Sequence, residues 1–104
     1  MFVLCDEQDR GFAAAPVDHA PERVSLDECR RGAGAFAGAL AESCPDGGLL
    51  FLIARSAPAS VIESDRHWHQ AIGESCAEHG IRSLGVWLVT GSSARALSVE
   101  DTMV

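Results

Sequence analysis

Residues 49–54, Leu-Leu-Phe-Leu-Ile-Ala, form the longest purely apolar run in the chain and show no alternation of apolar and polar positions. A short run of this kind reads as a strand buried on both faces, the central strand of a sheet. It is far too short to span a bilayer. A second run, Leu84-Gly85-Val86-Trp87-Leu88-Val89-Thr90, reads the same way, with Trp87 in the core. Two such strands need other elements packed on them. That requirement excludes a helical bundle and points to helices on a mixed sheet.

The flanking segments supply the remaining elements. Phe2 to Cys5 predicts a short strand, and Phe12 to Val17 a second one that Pro16 confines to an edge. A polar turn, Asp6 to Gly11, joins them as a hairpin. Ser25 and Glu28 make a capping box, so a helix is expected from there to about Ser43. Cys29, Ala33, Phe36, Ala37 and Leu40 fall on one helical stripe. Pro45-Asp46-Gly47-Gly48 ends that helix. A second helix starts between Ser60 and Asp65, where Ser60 with Glu63 offers a capping box and Ser64 a later cap. Val61, Trp68, Ile72, Cys76 and His79 mark its apolar side. Gly80 suits the left-handed position after its end. Ala94 to Val99 closes the sheet, with Leu97 and Val99 on one face. The expected order is β-β-α-β-α-β-β, an α/β fold with a mixed sheet and two main helices. Its 104 residues make one domain, with a folded core over 1–99 and a frayed tail at 100–104.

Charge narrows the partners. Eight basic residues, all arginine, stand against 15 acids, for a formal charge of −7. Most of this surface repels a phosphate backbone, so sequence-independent nucleic-acid binding is disfavoured. The opening residues lack a basic leader and a long apolar run, so a cytoplasmic protein without a signal peptide or membrane span is expected. Cys5, Cys29, Cys44 and Cys76 show no C-x-x-C spacing and are expected as thiols in a reducing cytosol.

From Leu50 to Ser98 the chain resembles the metal-dependent JAB/MPN fold, in particular its RadC-like branch. Leu50-Phe51-Leu52-Ile53 is similar to the family's motif strand. Gly80 to Val86 is similar to the link into the next strand, and Leu88 to Ser92 with Leu97-Ser98 to the closing hairpin. The opening Phe2 to Phe12 is similar to the family hairpin. The resemblance implies an α/β/α sandwich over nearly the whole chain. It also implies a missing active site. The two motif histidines fall on Ala54 and Ser56, and Ala57-Pro58-Ala59 stands for Pro-Ser-Gly. Asp65 is the counterpart of the distal acid. The general-base glutamate has no match, Asp18 being the nearest acid. Without two imidazoles and a carboxylate at the strand end, the family's zinc site does not form. The chain is then a small inactive relative, with no cofactor expected.

His67 and His69 flank Trp68, but on a helix positions i and i+2 point about 200° apart, so one metal ion cannot easily take both. His69, Cys76 and His79 lie near one helix face and form an alternative metal set. Cys76 with His79 as a thiolate–imidazole pair is opposed by the late, apolar position of Cys76. Trp68, with His67 beside it, is a half-exposed anchor for a partner or an ordinary helix-to-sheet contact. Gly34-x-x-x-Gly38 marks a dimer contact or close packing within the chain. Arg55, Ser56 and Ser60, in the loop that follows the apolar strand, with Asp65 beyond it, are candidates for holding a small anion. The function expected is a non-catalytic protein-interaction or structural module, partnered by itself or another protein. The alternatives are a metal-dependent hydrolase with an atypical ligand set and a small anion-binding regulator.

Overall fold

A computed structural model describes residues 1–16, 24–54, 61–91 and 93–98. The element order is the expected one: β1 (Phe2–Cys5), β2 (Gly11–Ala15), α1 (Leu26–Ser43), β3 (Gly48–Ala54), α2 (Glu63–His79), β4 (Arg82–Thr90) and β5 (Ser93–Ala96). The strands form one mixed sheet in the order β2-β1-β3-β4-β5. β1 runs antiparallel to both β2 and β3, β3 and β4 are parallel, and β5 returns antiparallel to β4. The parallel pair needs a crossover long enough to carry the chain back along the sheet, and α2 supplies it.

Local chemistry fixes the joins. The Asp6 carboxylate accepts the N–H groups of Gln8 and Arg10 at 2.9 and 3.0 Å, which folds the β1–β2 turn on a side chain. Ser25 caps α1 by accepting the Glu28 N–H at 3.1 Å. At α2 the cap is different from the expected serine pair. The Ile62 N–H donates to the Asp65 carboxylate at 3.0 Å, and the Asp65 N–H donates to the Ile62 carbonyl at 3.1 Å. Ser64 does not cap its own helix. Its hydroxyl accepts the Val24 N–H at 3.0 Å and ties the two helix starts together. Gly80 ends α2 in the left-handed conformation at φ 68°, as expected.

Both helices lie on the same face of the sheet. Phe2, Leu49, Phe51, Val86 and Leu88 point to that face and bury against Ala33, Ala37 and Leu40 of α1 and Ala71, Ile72 and Cys76 of α2. Four rings join the layers. Trp68 stacks on Phe51 with centroids 4.2 Å apart, Phe36 stacks on Phe2 at 4.4 Å, and Phe2 meets Trp68 edge-on at 5.6 Å. Arg30 of α1 makes a two-pronged contact with Glu74 of α2 at 2.8 and 3.2 Å.

This two-layer arrangement corrects three expectations among the described residues. The helices do not sandwich the sheet. β3 is not buried on both faces: Leu49 and Phe51 are buried, whereas Leu50 and Leu52 remain half-exposed. Trp87 lies on the face away from the helices and outside the core. The last strand is also shorter than expected. It ends at Ala96, and the buried Leu97 follows it with its N–H bonded to the Val86 carbonyl at 2.8 Å. Val99 and the tail expected at 100–104 lie outside the described residues. No described helix is long and apolar enough to cross a membrane.

Candidate interaction surface

The residues singled out in the sequence do not assemble into one site. Arg55, Ser56 and Ser60 of the anion loop, and Asp18, lie outside the described residues. Asp65 is 1% exposed and caps α2. Trp68 is 6% exposed, so the half-exposed anchor is corrected to a core residue stacked on Phe51. Its burial follows from its place on the helical stripe with Ile72 and Cys76. His67 is held inside the chain, with Nδ1 2.7 Å from the Val24 carbonyl and Nε2 3.7 Å from the Glu63 carboxylate. Nδ1 carries the proton that the carbonyl accepts.

Gly34 and Gly38 pack within the chain. An added Cβ at Gly34 would lie 4.0 Å from Ser75 Oγ, and one at Gly38 would lie 3.5 Å from the His79 ring. Both glycines face α2, so this stripe serves close packing within the chain. The alternative metal set is corrected too. Cys76 is buried, while His79 is exposed against Gly38. Among the described residues no three His, Cys, Asp or Glu side chains come together at metal-binding distance. Burial pushes the Cys76 thiol up to about 11 and the Cys29 thiol up to about 12, with Glu28 adding to the second shift. Neither is a nucleophile at neutral pH.

What the tertiary structure creates instead is the helix-free face of the sheet. Side chains alternate between faces along each strand, and the register sets which of them share a row. One row runs Ala14, Val3, Leu50, Gly85. The next runs Met1, Leu52, Trp87, Ala96, with the Leu52 N–H donating to the Met1 carbonyl at 2.8 Å. The third runs Ala54, Val89, Ala94. The side chains of these rows are apolar apart from the Trp87 indole, and the Met1 α-ammonium stands at the same face, donating to the Leu52 carbonyl at 2.8 Å. Beyond the first row, Phe12 stands at the β1–β2 bulge and is 52% exposed.

Trp87 gives this surface its shape. Its indole N–H donates to the Leu84 carbonyl at 3.2 Å, so the ring lies along β4 instead of standing off the sheet. Gly85 beneath it sits at φ 88°, where other residues are strained, and a Cβ there would meet the indole nitrogen at 3.9 Å, an ordinary contact. A register shift at Leu49/Leu50 accompanies this bend. Around the rim, charge reappears. Arg82 pairs with Asp9, donates to the Asp6 carbonyl at 2.9 Å and to the Asp46 carbonyl at 3.2 Å, and clasps one end of the sheet.

Sequence reasoning missed this surface because it treated both unbroken apolar strands as core. The available signal was arithmetic: two helices can cover one face of a five-stranded sheet, and the described residues hold two helices. Comparison with protein-family models, with curated proteins and with solved structures gave no match for this chain.

Proposed function

We propose that this chain is a non-catalytic protein-interaction module whose working surface is the helix-free face of its sheet. One observation carries the reading: three consecutive rows of that face, spanning all five strands, hold only apolar side chains on a chain of net charge −7. Five strands at about 4.8 Å spacing and some five residues of strand at about 3.4 Å each give a face on the order of 400 Å². A contiguous apolar patch of that size matches the largest patch of a typical monomer, which is often a functional surface. The scaffold is read as a small relative of the JAB/MPN fold without its metal ligands. That reading rests on the order of elements; the two-layer arrangement, and Ala54 and Ser56 where the family has histidines, depart from the family pattern.

The test is photo-crosslinking in extract of the source cells. p-Benzoylphenylalanine replaces Ala96 on the apolar face in one variant and the exposed Glu42 of α1 in another. Protein adducts from position 96 and few from position 42 are expected. Equal labelling at both positions, or none at position 96, refutes the interaction surface.

A further inference from the structure

We draw no further inference here: the strongest candidate, the helix-free apolar face of the sheet with Trp87 on β4 and the exposed Phe12 at its border, belongs to the surface already described, and nothing in the structure shows what covers it.

Discussion

Gly34→Ala and Gly73→Ala are expected to stabilise the protein, although both glycines sit in packed helices. A glycine inside a helix costs about 1 kcal/mol relative to alanine, through backbone entropy. That gain is realised only if the new methyl group has room. At Gly34 the nearest atom to an added Cβ is Ser75 Oγ at 4.0 Å, and at Gly73 nothing lies within 4 Å. Neither methyl meets a clash, so propensity sets the sign. The two added methyls share no contact partner, so the changes together should add about 2 kcal/mol, within a few tenths of additivity. For a domain of this size, 1 kcal/mol moves Tm by about 4–8 °C, so the double variant should melt roughly 8–16 °C higher. Differential scanning calorimetry with urea titration at 25 °C measures both quantities. A Tm unchanged or lowered in both single variants would refute the reasoning. It would mean that α1 and α2 approach more closely than the 4.0 Å clearance allows.

Gly47→Ala should do the reverse. Its Cβ would lie 2.5 Å from the Cys5 carbonyl oxygen and 2.9 Å from that of Cys44, so backbone must move, and a loss of about 2–4 kcal/mol in urea unfolding is expected. Trp68→Ala removes the ring between Phe51 and Phe2 and should cost about 3–5 kcal/mol, whereas an exposed anchor would cost little. Thiol labelling of the folded chain at pH 8, read by mass spectrometry, should modify Cys44 first. Cys5, Cys29 and Cys76 are buried with raised pKa and should react only on unfolding. Stability should fall below about pH 4. Arg30 and Gln70 hold the Glu74 carboxyl below its ordinary 4.5, and the Arg10 and Gln8 amides hold Asp6 below 3.8. A lowered folded pKa gives stabilisation that is present above the unfolded value and lost as pH falls through the folded one. Both groups are solvent-accessible, so the acid limb should be shallow and should flatten in 0.5 M salt.

The local elements were legible because their causes are local. Ser25 followed by Glu28 starts α1, Gly80 ends α2, and the Asp6-to-Gly11 turn makes the hairpin whatever the rest of the chain does. The β-β-α-β-α-β-β order follows from such signals. Which side of the sheet each helix covers was not written there. Leu49-Leu50-Phe51-Leu52 looks uniformly apolar in one dimension, and only packing separates Leu49 and Phe51 beneath the helices from Leu50 and Leu52 on the bare face. The same holds for the two tryptophans. Trp68, beside two histidines, is core, and Trp87, inside an apolar strand, is surface. Hydrophobicity states that a side chain leaves water, but not against what. That choice belongs to the register of the sheet and to both helices sharing one face, and these long-range facts leave one face of a core-like strand without a helix over it.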